Sequence, residues 1–520
     1  MLFNTEDIVQ EIRTEVEAML IYVKGSKTAT ADQVERGIFR RLLAVGFKLM
    51  LLFFTMRAEE YPRTPIETEA GETLPCFDDR KRGYFSVFGK LPFWRPYFYK
   101  KGVAGQSPLD GELSLGSDCY SDLLREIAEY MGVDVTYDKV REMFARILGQ
   151  RLSTNAIQSM VAEDAADVEA YYEQKPTPKP EDEGEILVIQ ADGKGVPMVR
   201  ETPAAAKVRL GKGEKHAKKK EAVVSGVYTI VPHKRTPEEV VASFFHKDET
   251  SDRKETASKR VKPQNKQLWA TLEGKDTALE RLAEQVEKRE GSHIEHRVAL
   301  TDGCEALQQR VLSYCPDFTL ILDFIHGNEY LWDVANRLFD EQDPLRISWV
   351  EEQTLKILSG ETEQVIADFR SLAQAPKRTK AQRKELEKAA NYFERNLPYM
   401  AYDYYLAQGW PIASGVIEGA CRHLVKDRFE LSGMRWTQAG AENLLHLRAV
   451  AENGDWDDYH QFRKQQRHGR LYNFPFPAQD SLEDQALDTP AQLSDKIIPF
   501  DTVAKRASHH QDLDQQRQAA

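Results

Sequence analysis

Residues 185–195 read EILVIQADGKG, and this segment decides the predicted fold. The almost continuous apolar run at 185–191 is typical of a strand in the centre of a sheet. Asp192 follows the run directly and precedes a glycine. A charge at the end of a buried strand costs free energy unless it is compensated, for example by a metal ion. The alternative interpretation is a turn aspartate before glycine, so position alone does not decide the role of Asp192.

Further strands and helices alternate downstream of this segment. The pattern predicts strands at 222–231, 296–300 and 318–324, and helices at 236–245, 266–289 and 304–314. Helical spacing then runs from 328 to about 406, and again around Glu418 to about 452. Strands that alternate with helices indicate an α/β layer fold. The same order is expected of an RNase H-like domain, with a mixed sheet and a large all-helical insertion at about 327–412.

The residues before 186 show a different sequence pattern. Residues 1–60 and 119–173 show helical spacing, and 74–100 predict a small β-hairpin with its turn near Gly89-Lys90. A linker rich in proline and acids follows at 174–185. We therefore predict three parts besides that linker: an N-terminal region (1–173), an α/β domain (186–452) and a poorly ordered tail (470–520).

The composition excludes several classes of protein. The five cysteines are odd in number and form no C-x-x-C pair, which argues against a disulfide framework and fits a reducing cytoplasm. The most apolar run, 42–54, contains Lys48 and is too short to cross a bilayer. The first residues carry acids where a signal peptide needs basic residues. We expect a cytoplasmic protein with no membrane partner.

The net charge of −12 argues against a nucleic-acid partner, but the charge is unevenly spread. A dense basic run lies between the first two predicted strands of the α/β domain. It could be a solvated loop, although phosphate contact explains it better. Its basic residues are Lys207, Arg209, Lys212, Lys215, Lys218, Lys219 and Lys220.

Residues 137–162 predict a helix-turn-helix. Apolar residues at helical spacing mark one helix at 137–147 and a second at 153–162. In such a motif the second helix enters the major groove, which would bring Thr154, Asn155 and Gln158 to the base edges. The alternative is an ordinary pair of packed helices without DNA contact.

Two more carboxylates occupy positions comparable with that of Asp192. Asp302 follows the strand at 296–300 within Thr-Asp-Gly, and Glu418 lies in SGVIEGACRHLVKDRF. A turn or helix cap would also explain Asp302, and a helical ion pair with Arg422 would explain Glu418. Phosphodiester chemistry with two magnesium ions needs several carboxylates at the ends of neighbouring elements. The three acids together are therefore a candidate metal site.

The chain resembles the ISKra group of bacterial insertion-sequence transposases. The matching strings are ADGKGVPM (191–198), GKGEKHAKKKE (211–221), LTDG (300–303), DFIH (323–326), SGVIEG (414–419) and SGMRW (432–436). The resemblance implies a DDE recombinase in which Asp192, Asp302 and Glu418 hold two Mg²⁺ ions, with Mn²⁺ expected to substitute. It also implies a homodimer or larger assembly on double-stranded DNA, with terminal inverted repeats and target DNA as partners.

Several other residues receive supporting roles, of which those of Asp323 and His326 follow from the same resemblance. Asp323 and His326 would position DNA or the active-site helix, although Asp323 rivals Asp302 as the second acid and His326 could be a core histidine. Arg422 would assist Glu418. Arg435 would contact phosphate and Trp436 would stack on an unpaired base, with a core aromatic as the alternative. A DNA-binding protein without catalysis and an RNase H-like nuclease without transposition remain alternative functions.

Overall fold

The computed structural model describes residues 4–199, 219–246, 262–472 and 475–477. Its strands are β1 (Ile66–Glu67), β2 (Thr73–Leu74), β3 (Cys76–Ser86), β4 (Gly89–Phe98), β5 (Ile186–Pro197), β6 (Lys219–Ile230), β7 (Gln264–Thr271), β8 (His296–Thr301) and β9 (Thr319–Leu322).

Helices flank these strands along the whole described chain. In order they are α1 (Thr5–Gly25), α2 (Ala31–Glu60), α3 (Pro108–Glu112), α4 (Asp122–Gly132), α5 (Tyr137–Ile147), α6 (Thr154–Asp164), α7 (Val168–Gln174), α8 (Pro237–Phe245), α9 (Lys275–Arg289), α10 (Glu305–Tyr314), α11 (Phe324–Leu338), α12 (Pro344–Leu358), α13 (Thr362–Gln374), α14 (Lys380–Asn396), α15 (Tyr402–Gln408), α16 (Gly415–Ala420), α17 (Asp427–Phe429), α18 (Gln438–Glu452) and α19 (Trp456–Leu471). No helix in these described ranges is long and apolar enough to cross a membrane.

The central sheet has five strands in the order β7-β6-β5-β8-β9. β5 is antiparallel to β6, and β6 is antiparallel to β7. β8 is parallel to both of its neighbours, β5 and β9. This mixed sheet with helices on both faces confirms the predicted α/β class.

Alternate residues of β5 explain the two helical layers. Leu187 and Ile189 belong to a buried cluster with residues of α9 and α10. Ile186 and Val188 point to the opposite face and share a cluster with the helical block α11–α15. Since successive side chains of a strand point to opposite faces, an apolar residue at every position is what a strand covered on both faces requires.

The predicted helix at 266–289 is wrong in its first third. Gln264–Thr271 is the edge strand β7, and the helix begins only at Lys275. Leu268 and Leu272 continue the helical spacing of the leucines further on, which hid the strand. Gly274, in the turn between β7 and α9, has a φ of 109°, which favours glycine.

The N-terminal region contains the predicted hairpin, β3 with β4, but its loop is Val87-Phe88 and not Gly89-Lys90. The predicted helix pair is also confirmed as α5 and α6. Ser153 caps α6 by accepting from the Ala156 amide at 3.0 Å.

The linker at 174–185 joins parts that share one hydrophobic cluster. Val161 and Val168 from the N-terminal side pack in it with Val224 and Leu445. Helix α19, which the spacing of the sequence did not predict, adds buried ion pairs. Its Arg463 donates to Asp164 at 2.9 Å and to Asp122 at 3.1 Å, which fastens α19 to α4 and α6.

Candidate active site

Asp192 does not end its strand, in contrast to the prediction. β5 continues to Pro197 because β6 pairs with it along that whole length, with Asp192 opposite Val224. On its other side, β5 pairs with β8 only as far as Gln190 opposite Leu300. Asp192 therefore lies two residues beyond the last shared rung, at the carboxyl edge of the parallel pair.

Asp302 lies two residues beyond the same rung on the neighbouring strand, just after β8 ends at Thr301. Its Oδ1 accepts from the Cys304 amide at 2.9 Å, so it also caps the turn into α10. The helical block holds this turn from outside. Tyr392 donates to the Asp302 carbonyl at 3.1 Å, and Arg395 donates to the Gly303 carbonyl at 2.7 Å.

Glu418 comes from α16, whose start is held by Gln190 of β5 and by Asp323, which directly follows β9. The Ile417 amide donates to Gln190 Oε1 at 3.0 Å, and the Ser414 amide donates to Asp323 Oδ2 at 3.2 Å. The Ser414 hydroxyl also donates to Asp323. Gln190 is buried and its amide donates to the Tyr228 hydroxyl at 3.0 Å, which sets its orientation. Sequence reasoning missed Gln190, since a buried polar residue inside an apolar run was the only signal.

Asp323, His326 and Glu418 form a group that could hold a metal ion, because each offers a ligand atom within 4.8 Å of the others. His326 Nδ1 lies 3.4 Å from Asp323 Oδ2 and 3.9 Å from Glu418 Oε1. The contact with Asp323 raises the pKa of His326 to about 9, and the nearby charges of Glu329 and Asp302 add to it. At neutral pH His326 is therefore a cation among these carboxylates.

Asp323 is fully buried, and its oxygens already accept from three donors of the chain. Besides the two from Ser414, the Ile325 amide donates to Oδ1 at 2.7 Å, which caps α11. Asp192 and Asp302 are only partly buried, and Glu418 is exposed. The three predicted acids are thus open to a ligand from solution, whereas Asp323 is used by the fold.

The negative charges of the carboxylates near Glu418 repel one another. Burial and the charges of Asp323 and Asp192 raise the pKa of Glu418. Cys421, on the same helical stretch, donates from Sγ to Asp192 Oδ2 at 3.3 Å, and burial raises the pKa of this thiol. A hard divalent cation would relieve the repulsion between these carboxylates, and oxygen ligands are what Mg²⁺ prefers.

Arg422 is not placed to assist Glu418. Its Nε lies 3.5 Å from Asp427 Oδ2, and the guanidinium is exposed. Residues Cys421–Lys426 form a π-helical segment directly after α16. With the wider i to i+5 spacing, a residue four positions after Glu418 no longer lies over it.

Trp436 is a core residue, so the predicted stacking on an unpaired base is wrong. Its ring is 7% exposed, its Nε1 donates to the Phe429 carbonyl at 3.2 Å, and its face packs on the Arg428 guanidinium. Arg435, the preceding residue, is exposed.

The basic run lies mostly outside the described residues. Five of its residues are outside the described ranges: Lys207, Arg209, Lys212, Lys215 and Lys218. Lys219 and Lys220 begin β6, where Lys219 pairs with Glu430 and Lys220 donates to Gln438 at 2.7 Å.

The second helix of the helix-turn-helix presents the predicted side chains outward. Asn155 and Gln158 are exposed and Thr154 is partly buried, while Ile157 and Met160 on the opposite side are buried. Asn155 and Gln158 are therefore accessible from solution.

Searches with the whole chain found no matching protein-family model and no matching curated protein.

Replacing Gln190 by Met is expected to weaken metal binding through α16. The change leaves the buried Ile417 amide without its acceptor, which costs about 1–3 kcal/mol of stability, and releases the start of the Glu418 helix. Urea unfolding and Mn²⁺ titration of the free protein measure the two effects. Tyr228→Phe is the comparison variant: it removes the hydroxyl that accepts from Gln190 but keeps the Gln190 oxygen that accepts from the Ile417 amide, so its effect on Mn²⁺ affinity should be smaller. Equal Mn²⁺ affinity in wild type and Gln190→Met would show that Gln190 does not position Glu418.

Proposed function

We propose that this chain is a DDE transposase, a metal-dependent enzyme that cuts DNA at the ends of an insertion sequence and joins them to target DNA. One observation carries the proposal. Asp192 and Asp302 extend from adjacent parallel strands, each two residues past the last shared rung, and Glu418 comes from a helix held against β5, the strand of Asp192. Three carboxylates from distant parts of the chain thus share one edge of the sheet.

The sheet supports an RNase H-like catalytic domain. Counted from β5, its five strands have the order 3-2-1-4-5, with the first three antiparallel and the last two parallel to the first. This mixed order is compatible with the RNase H-like domain that the resemblance implies. The helical block that follows β9 corresponds to the insertion expected before the last acid.

Asp192, Asp302 and Glu418 would hold the ions in this proposal. When bound, two Mg²⁺ ions supply an activated oxygen nucleophile and stabilise the leaving oxygen. The chain's own residues orient the acids: Cys421 donates to Asp192, Tyr392 and Arg395 hold the turn of Asp302, and Gln190 holds α16. Protonated His326 balances part of the negative charge before metal arrives.

A cleavage assay tests the proposal directly. The protein is incubated with DNA that carries the inverted repeats flanking its gene, with Mg²⁺, with Mn²⁺ or with a chelator. We expect metal-dependent nicks with 3′-hydroxyl ends, followed by joining to a target plasmid. Nicks without joined products would favour an RNase H-like nuclease. Repeat binding without nicks in either metal would favour a DNA-binding protein derived from a transposase.

Asn155→Ala and Gln158→Ala are expected to lower specificity for the repeat. If α6 lies in the major groove, the loss of a bidentate contact to a base costs about 1–3 kcal/mol of discrimination. Affinity for random DNA should hardly change, because phosphate contacts dominate non-specific binding. Binding of both variants to repeat and scrambled duplexes at one salt concentration measures the difference. Equal losses on the two duplexes would mean that α6 does not read bases.

A further inference from the structure

Helices α1 and α2 form an antiparallel pair with apolar side chains directed to solvent. On α1, apart from Ile21, which lies about 100° around the helix from Leu20, these are Val16, Leu20 and Val23, and on α2 they are Phe39, Leu42, Leu49, Phe53 and Met56. Each is between 40% and 56% exposed. Within each helix they recur at intervals of three, four or seven residues, which is the spacing of a coiled-coil seam. We call this set the apolar face.

The two stripes lie on one side of the helix pair. Residues at the contact between the helices show this: Lys48 lies 3.1 Å from Glu15, and Arg41 stacks on the Tyr22 ring. Each of these contact residues is followed directly in the sequence by a residue of the apolar face. These residues are Val16 and Val23 on α1, and Leu42 and Leu49 on α2. One residue is a rotation of about 100° in the same sense on each helix. Because the helices are antiparallel, equal rotations bring both stripes to the same side.

We propose that the apolar face binds the same face of a second copy of this chain. A two-fold axis makes such a surface complementary to itself, and two helix pairs then bury their stripes as a four-helix bundle. The inference does not rest on the proposed function.

Charge decides how the two helix pairs meet. α1 contains five acidic and two basic residues, whereas α2 contains four acidic and five basic residues. If α1 lay against α1 of the partner subunit, two acidic helices would repel each other. α1 against the partner's α2 brings opposite net charges together, so we assign that arrangement.

The test is the mass of the full chain in solution, without DNA or metal, by light scattering and sedimentation. We expect two chains for the wild type, and a dissociation constant raised at least about tenfold, the equivalent of 1.4 kcal/mol, in Leu20→Glu and Phe53→Glu. Leu345→Glu is the control, because Leu345 is 63% exposed on α12 and lies outside the apolar face. Circular dichroism checks that each variant is folded.

Two results would overturn the inference: a wild type that is a single chain at every concentration, or a dimer that tolerates both glutamates as well as the control. Salt tests the arrangement of the helices. If α1 lies against the partner's α2, moderate salt should weaken the dimer. A dimer that tightens between low and moderate salt would contradict that arrangement. Since the measurement involves no cleavage, its failure would leave the proposed enzyme activity standing, and the reverse also holds.

Discussion

Asp192→Asn, Asp302→Asn and Glu418→Gln should each lower DNA cleavage by about a thousandfold or more, the equivalent of about 4 kcal/mol in the barrier. Each change removes a charged ligand oxygen from the site, while the helix-turn-helix that would bind the repeat is untouched. Single-turnover cleavage of repeat DNA in Mg²⁺ measures the loss, and binding of the same DNA without metal should stay close to wild type.

Glu329→Gln is the matched control for these three variants. Glu329 is an exposed acid on α11 whose charge reaches both His326 and Glu418, yet it is not one of the proposed ligands. Its loss should change cleavage far less than tenfold. Near wild-type cleavage by Asp302→Asn would remove Asp302 from the site and return Asp323 to consideration as the second acid.

Asp323→Ala should cause the largest loss of stability among the residues near the site. The side chain is fully buried, and its removal leaves the Ile325 amide and both donors of Ser414 without their acceptor. Each buried donor left without its acceptor costs about 1–3 kcal/mol, so the loss of an acceptor shared by three donors should exceed the loss of a single surface cap. The lost contact with Ser414 also frees the start of α16, so Mn²⁺ affinity should fall in the same variant. Urea unfolding and metal titration measure the two effects.

Asp343→Ala provides the comparison for Asp323→Ala. Asp343 caps α12 in the same way, accepting from the Leu345 amide at 2.9 Å, but on the surface. The loss of such a cap costs about 1 kcal/mol. If the two variants lose equal stability and both bind Mn²⁺ normally, Asp323 is a helix cap and does not position Glu418.

Local sequence pattern predicted most of the elements around the candidate site. The apolar run of β5 and the strand of β8 are confirmed, and so is α8, which Thr236 caps. These features depend on neighbours within a few positions, where side-chain alternation and capping act directly on the backbone. β7 was missed because Leu268 within it and Leu272 just after it continue the spacing of the next helix, and because its partner strand, β6, lies far away along the chain.

The sequence by itself determined which carboxylates deserved attention, since strand ends and glycine neighbours can be read locally. Only the tertiary structure decided how the fold uses each candidate side chain. Gln190 binds an amide 227 positions away, and Asp323 binds Ser414 91 positions away. The residues next to Trp436 in the sequence are compatible with an exposed position, but its ring is buried against Arg428 and Phe429. Contacts between distant residues depend on how whole layers of helices and strands pack. A short stretch of sequence contains only one of the two residues in such a contact, so it cannot predict the contact.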